Sequence, residues 1–360
     1  MGFNRSPKVN LENAQYPNLR KEEVMKKVIF VLVLVWLGIL WAPPWVARIE
    51  AAPKITINAV TTWLLPVANN DYYKEYIKRV NEKAKGELEI KLIGGPEVVA
   101  AFDQLKAISK GVVDMVHGSQ AYYAGMVPEG TIPELAKPKF EVKAFRESGI
   151  WDMYVQAYLE KSGTLFLGNG HIGMPFYIMS SKPISKLDDV RGLKLRGFGG
   201  LADVLLGEFG ASVVRISSAE TYEGLQRGVV DGALRNTISL VELKEYEVMK
   251  YILYPPVYAA YGGVWISEKK WSSIPKHLQA MMKEVMVTTE EEARQYFDNM
   301  DKTNLKMVQE KHGMKVIQLS DKDISRVGEI RSGTAIKDWI SKRATPYGPA
   351  IYEKMLPYLK

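Results

Sequence analysis

A chain of 360 residues with 47% apolar and 25% charged side chains can bury a large core and splits most naturally into two domains, which excludes a disordered or fibrous protein. Its formal charge of +7 is spread along the chain with acids between the bases, so it reads as a solvated surface and gives no nucleic-acid footprint. The absence of cysteine removes thiol nucleophiles, disulfides and thiolate metal sites together, and suits an oxidising compartment.

The N-terminal segment is an address before it is a structure. Lys26-Lys27 precedes VIFVLVLVWLGILWA, then come Pro43-Pro44 and a small-residue stretch ending Ile49-Glu50-Ala51-Ala52. A basic start, an apolar core of about the right length and a small-residue exit predict an export signal over residues 1 to 51, cleaved near Ala51, with translation starting at Met25. The rival is an uncleaved anchor over Val28 to Ala47, which the paired prolines would interrupt. Residues 1 to 51 hold seven Lys/Arg and four Asp/Glu, so cleavage lowers the positive charge. With no cysteine for a lipid, the mature chain is expected to be periplasmic, meeting the membrane only through a partner.

From Lys54 short strands alternate with helices. KITINAV is β-branched with period two, Asn69 to Ala84 has helical spacing closing on Gly86, and ELEIKLIGG is a strand with a glycine stop. Val98 to Lys110 reads as a helix closed by Gly111, and VVDMVHG as a buried strand. This βαβαβ order predicts an α/β fold with a mainly parallel sheet. A second set repeats the grammar: TLFLGNG, PFYIMSS, GLKLRG, a helix over 201–209, SVVRI, a helix over 219–227, and VVDGAL. Two α/β lobes follow.

Residues 276–312 contain no Gly or Pro, and Leu278, Met281, Val285, Tyr296, Met300 and Val308 recur at roughly helical spacing. One helix of about 55 Å is expected; the alternative is two helices broken near Thr288-Thr289. Beyond lie a strand KVIQLS, a helix from about Asp321 to Lys342 and a Tyr/Pro-containing tail, assigned only packing.

The stretch GLKLRGFGGLADVLLGEFG, residues 192–210, carries the functional question. Gly197, Gly199 and Ala202 match G-x-G-x-x-A between a strand and a helix, with Glu220 about twenty residues on. Against a dinucleotide stand its depth in the second lobe, an arginine the motif does not need, and export to where NAD is scarce. The simpler reading has Arg196, at the carboxyl end of a parallel strand, pairing two-point with a carboxylate in the cleft. The glycines would let the ligand approach the backbone, and the helix N-terminus would favour an anion. The plain alternative is a surface arginine in an ion pair.

From Lys54 to about Met282 the chain resembles the periplasmic solute-binding proteins of TRAP (tripartite ATP-independent periplasmic) transporters, the DctP-type extracytoplasmic receptors. The resemblance is carried by GELEIKLIGG, LKAISKGVVDMVHG, SSKPISKLDDVRGLKLRGFGG and FGASVVRISSAETYEGLQRGVVDGALRNT. It implies two lobes joined by crossing strands and a long bridging helix around a cleft: residues 52–172 with about 262–300 as lobe I, and 173–261 with about 301–360 as lobe II. It implies a small-molecule organic acid as ligand, membrane permease subunits as partners, and no cofactor.

Arg196 falls on the family arginine that grips the carboxylate. Where the family commonly has Glu-Asn-Pro, this chain has Ala233-Leu234-Arg235-Asn236-Thr237, leaving open whether Arg235 or Asn236 faces the ligand. The arginine of sialic-acid-binding members has no counterpart in Gly173-Met174-Pro175-Phe176-Tyr177, and Pro96-Glu97-Val98 replaces the usual Gln-Leu-Gly, so a sugar acid is not expected. Aromatics stand instead: Trp63, Tyr122, Tyr123, Phe176, Tyr177, Phe198 and Trp265. Such walls suit a monocarboxylate, a 2-oxo acid or an aromatic carboxylate; ordinary core packing is expected for roughly half of them.

The alternative function is an exported enzyme acting on small organic anions. It lacks a constellation: His117, His171, His277 and His312 show no H-E-x-x-H spacing, and there is no G-x-S-x-G or P-loop lysine. His171, near the hinge, reads as a hydrogen-bonded or exposed histidine in preference to a ligand contact. Whether a metal bridges the ligand is left open.

Overall fold

The computed structural model describes residues 55–136 and 142–359; the export signal, its cleavage point and the start at Met25 lie outside the described residues. Period-two apolar runs form strands β1 (Ile55–Thr61), β2 (Leu88–Gly94) and β3 (Met115–Ser119), then β4 (Thr164–Ser180), β5 (Lys194–Gly197), β6 (Ser212–Arg215) and β7 (Gly232–Arg235). β8 (Tyr251–Tyr254), β9 (Tyr258–Ser267) and β10 (Lys315–Gln318) complete the set among the described residues.

The first sheet runs β2-β1-β3-β9-β4 and the second continues β4-β7-β5-β6, with β8 joining β4 to β10. Pairs within each βαβ unit are parallel, β1 with β2 and β3 and β5 with β6 and β7, whereas β9 and β4 run antiparallel to their neighbours. β4 and β9 therefore cross between the sheets. The carboxyl ends of β1, β3, β5 and β7 meet at that crossing, where open α/β sheets present their ligands.

The expected pair TLFLGNG and PFYIMSS is one 17-residue strand. Glycines and a proline suggest a break, but register shifts at Phe166/Gly168, Asn169/His171 and His171/Met174 absorb the surplus residues as bulges, and pairing with β9 persists to Phe176–Tyr258. The helix expected over 98–110 shrinks to Gln104–Ser109 after a 3-10 turn. Gln104 contributes to this, since its Nε2 donates to Thr61 O and Val99 O and ties the non-helical bend at Val99 to the end of β1. The strand expected at VVDMVHG begins only at Met115, with Val112 exposed in the preceding turn. The helix expected over 321–342 is two, Asp321–Arg331 and Thr334–Arg343, because Ser332 and Gly333 close the first on its own carbonyls and Gly333 turns extended.

Residues Lys276–His312 form a single 37-residue helix, stopped by Gly313 in the left-handed region. The suspected break does not occur: the Thr288 and Thr289 hydroxyls bond back to carbonyls of the preceding turn. Leu278, Met282, Val285 and Met286 enter the core of the first sheet, and Val308 enters that of the second beside Met179, Ala233 and Ile252. One helix thus seals both sheets, matching the two-lobed architecture with crossing strands. The C-terminal helices pack on both sides, Thr334–Arg343 against Gly200–Glu208 and Gly348–Met355 against Ile150–Ser162.

Candidate functional site

Where the strand ends converge lies a small pocket. Trp63, Asn69, Ser119 and Tyr122 line it from the first sheet; Phe176, Arg196, Phe198, Ser218, Arg235 and Asn236 from the second; His171, Ala260 and Tyr261 from the crossing strands.

Arg196 is the only one of these with a full charge left to give. It is 2% exposed, and its Nε, Nη1 and Nη2 donate to Ile216 O, Leu234 O and Tyr122 Oη at 3.1, 3.3 and 3.1 Å. A guanidinium has five N–H donors, so one remains on each terminal nitrogen. Among the described residues no carboxylate forms an ion pair with it, and its face lies 4.7 Å from the Phe198 ring. Burial, with Arg235 adding to it, pulls its pKa down to about 10, which leaves it charged at neutral pH.

Arg235 is equally buried but already neutralised. Its Nε and Nη2 clamp both oxygens of Glu245 at 2.7 and 2.5 Å, and Ser218 takes two further bonds. Asn236 spends its Oδ1 capping Ser239 N at the start of the helix Thr237–Glu242. Both therefore border the cavity, with Arg235 as a paired wall and Asn236 with only its amide nitrogen unspent.

The glycine turn departs from expectation. Phe198 N and Gly199 N both donate to Asp203 Oδ1, and Asp203 Oδ2 also holds Arg215. The two amides that precede the helix Gly200–Glu208 are thus taken by an internal carboxylate and are not open to an incoming phosphate or acid. A Cβ on Gly199 would stand 2.3 Å from Ala121 O and one on Gly200 2.4 Å from Thr131 Cγ2, so these glycines admit the first sheet's turns and not a ligand.

Of the predicted residues, Arg196, Phe198, Asn236, Arg235, Trp63, Tyr122 and Phe176 are gathered around the cavity, and Trp265 is not. Trp265 is fully buried among Tyr123, Tyr158 and Phe166; it pairs with Val116 and Phe166, further along β9 than the lining residues Ala260 and Tyr261. Tyr123 and Tyr177 are also core, the latter donating to Asp301 Oδ2. His171, read as a bystander, lines the cavity with its Nδ1 buried and unpartnered; burial pushes its pKa down to about 3, so the ring is neutral. Sequence reasoning missed Asn69, Ser119 and Ser218; nothing in their spacing announces them.

No helix of the described residues is long and apolar enough to cross a membrane. Among the same residues no group of three or more His, Asp or Glu could hold a metal ion.

Residues 68–332 match the family described as bacterial extracellular solute-binding protein, family 7. A solute-binding protein of Albidiferax ferrireducens is 25% identical over 279 residues, 75% of this chain and 80% of that protein. Among solved structures, a TRAP periplasmic solute-binding protein from Desulfovibrio salexigens with bound orotic acid has a TM-score of 0.76 at 19% identity, covering 85% of this chain and 99% of that one. Another, from Rhodoferax ferrireducens with bound malonate, has a TM-score of 0.73 at 23% identity, covering 84% and 96%. At these identities the likeness establishes the fold.

Proposed function

The chain belongs to the bacterial extracellular solute-binding proteins of family 7, the periplasmic solute-binding proteins of TRAP transporters, and on that premise we propose that it captures a small organic acid carrying a single negative charge and hands it to membrane permease subunits. The observation that carries this is the buried, unpaired guanidinium of Arg196. A charge removed from water without a counter-ion is unfavourable, and a ligand carboxylate taking its two remaining N–H groups would relieve that.

The count of charges selects the ligand class. Arg235 and Glu245 cancel, and His171 is neutral, so the lining carries one net positive charge. A monoanion balances it, whereas a dicarboxylate would bury a second charge with no partner. Trp63, Phe176 and Phe198 supply apolar walls. Monocarboxylates, 2-oxo acids and aromatic carboxylates fit this description.

In this reading no bond is made or broken, and the protein is not an enzyme. Residues 1 to 51 export the chain to the periplasm. Lobe I (52–172 with about 262–300) and lobe II (173–261 with about 301–360) then close around the acid by bending at β4 and β9, and the closed form is what the permease recognises.

The test is a thermal-shift screen of monocarboxylates, dicarboxylates and matched neutral amides. A ligand at 100 times its dissociation constant adds about 2.7 kcal/mol, a shift of a few degrees. Monocarboxylates that shift the transition while their amides do not support the proposal; a response confined to dicarboxylates or to neutral compounds overturns it.

A further inference from the structure

Strand register builds a second feature into the same cavity, beside the crossing strands. Ser119 on β3 and His171 on β4 both pair with Gly262 on the intervening β9, and directly opposed residues point to one face. Gly262 has no side chain to fill the gap, and a Cβ there would lie 2.2 Å from His171 Cε1. The imidazole therefore lies over the glycine, between the strands. Trp63 closes one side with its ring 5.2 Å from that of His171. Asn69 reaches the same stretch of β4, its Nδ2 3.8 Å from Met174 Sδ.

All three polar side chains line the cavity, and each keeps a polar atom without a protein partner among the described residues. His171 Nδ1 and Asn69 Oδ1 are buried without a partner, and Ser119 Oγ makes no hydrogen bond among the described residues. Buried polar atoms are normally paired, and leaving one unpaired is unfavourable. The chemistry of the set is also specific. An amide oxygen only accepts, a neutral imidazole offers one donor and one acceptor, and a hydroxyl does either; none can neutralise a charge.

We infer that Ser119, His171 and Asn69 form a polar subsite that takes an uncharged hydrogen-bond donor on the body of the acid, a hydroxyl or a ring or amide N–H. The inference rests on the acid-binding reading of the cavity and narrows it: the ligand is a monocarboxylate with a donor away from its carboxylate, and a purely hydrocarbon acid is a poor substitute.

Matched pairs test it by calorimetry: benzoate against its three hydroxy isomers, and cyclopentanecarboxylate against pyroglutamate, on the wild type, Asn69→Leu, Ser119→Ala and Arg196→Met. At least one donor-bearing member should bind about tenfold tighter than its donor-free partner, the worth of one good hydrogen bond. That margin should fall to about threefold or less in Asn69→Leu and in Ser119→Ala, two variants so that a folding defect in one does not decide the matter. Equal binding within each pair, no binding by any of these acids, or a margin that survives both substitutions overturns the subsite. If pair members bind equally yet both need Arg196, the subsite alone falls; if Arg196→Met binds all of them as the wild type does, the carboxylate clamp falls instead.

Discussion

The phenol of Tyr122 ties the two sheets together at the guanidinium of Arg196. Its Oη accepts from Arg196 Nη2 at 3.1 Å and from Ser218 N at 2.8 Å, so a turn following β3 is pinned to the end of β5 in the second sheet. With both acceptor positions used, its own proton remains to donate beside the free guanidinium N–H groups. Tyr122→Phe keeps the ring against Phe102, 4.3 Å away, but strands the Ser218 amide and one Arg196 N–H. Affinity for a responsive acid should fall about tenfold, about 1.4 kcal/mol, mostly through faster dissociation. Calorimetry with stopped-flow release checks this; an unchanged dissociation rate would show that the phenol does not hold the closed form.

Two arginines of equal burial should respond to the same substitution with opposite emphasis. Arg196→Met removes a charge that has no counter-ion, so the unliganded protein should keep its stability to within about 1 kcal/mol while acid binding is lost. Arg235→Met leaves Glu245, which is fully buried, without its partner and should destabilise by about 3 to 5 kcal/mol. Urea unfolding of both proteins without ligand decides it. A large loss in Arg196→Met would mean that its three internal hydrogen bonds, and not ligand capture, are its purpose.

Much of this site could be read from the chain because its signals are local. Arg196 is legible as an arginine at a strand end before a glycine turn, Trp63 and Tyr122 as aromatics that follow strands, and Phe176 and Phe198 as aromatics near crossing or cleft segments. What escaped depends on register. Ser119 and His171 come together because β9 places Gly262 between them, and Trp265 misses the cavity because its pairing with Val116 and Phe166 sets it further along β9 than Ala260 and Tyr261. Neither relation exists until the strands pair. β4 reads as two strands in the sequence because Gly168, Gly170, Gly173 and Pro175 look like breakers, and only the partner strand turns them into bulges. The Asp203 carboxylate that takes the Phe198 and Gly199 amides is likewise invisible, since an acid in a first helical turn is ordinary.

Glu134 should impose a pH dependence on stability. It is fully buried, accepting from Tyr258 Oη and from Tyr261 N at 3.0 Å, and burial outweighs those bonds to push its pKa up to about 8. A carboxyl raised in this way is neutral in both states below about 4.5. As pH rises towards 8 the unfolded chain releases the proton first, so stability falls across that window. Asp301, raised to about 6 by burial, acts in the same sense at lower pH. His171, lowered to about 3, and His117, lowered by burial, act oppositely, losing stability as pH drops below 6.5. From pH 6.5 to 8 Glu134 should therefore dominate among these groups, and the loss should be about 2 kcal/mol at about 1.4 kcal/mol per pH unit for one proton. Glu134→Gln should flatten that limb in thermal unfolding; an unchanged slope would remove Glu134 as its source.

Gly199 and Gly207 make a last prediction, because the same substitution should have opposite signs eight residues apart. Gly199 has φ of +111° and a Cβ there would meet Ala121 O at 2.3 Å. That oxygen belongs to the backbone next to Tyr122, so the contact cannot be relieved by turning a side chain. Gly199→Ala should cost about 1 to 3 kcal/mol from the backbone conformation. It should also push the Tyr122 turn off Arg196 and weaken acid binding. Gly207, exposed on the helix that follows, has nothing within 4 Å of an added Cβ, and Gly207→Ala should stabilise by about 0.5 to 1 kcal/mol with binding unaltered. Urea unfolding and calorimetry on the pair separate the cases. If Gly199→Ala binds acids normally, the close approach of the two sheets at Ala121 is a packing detail, and the arm carrying Arg196 keeps its position without it.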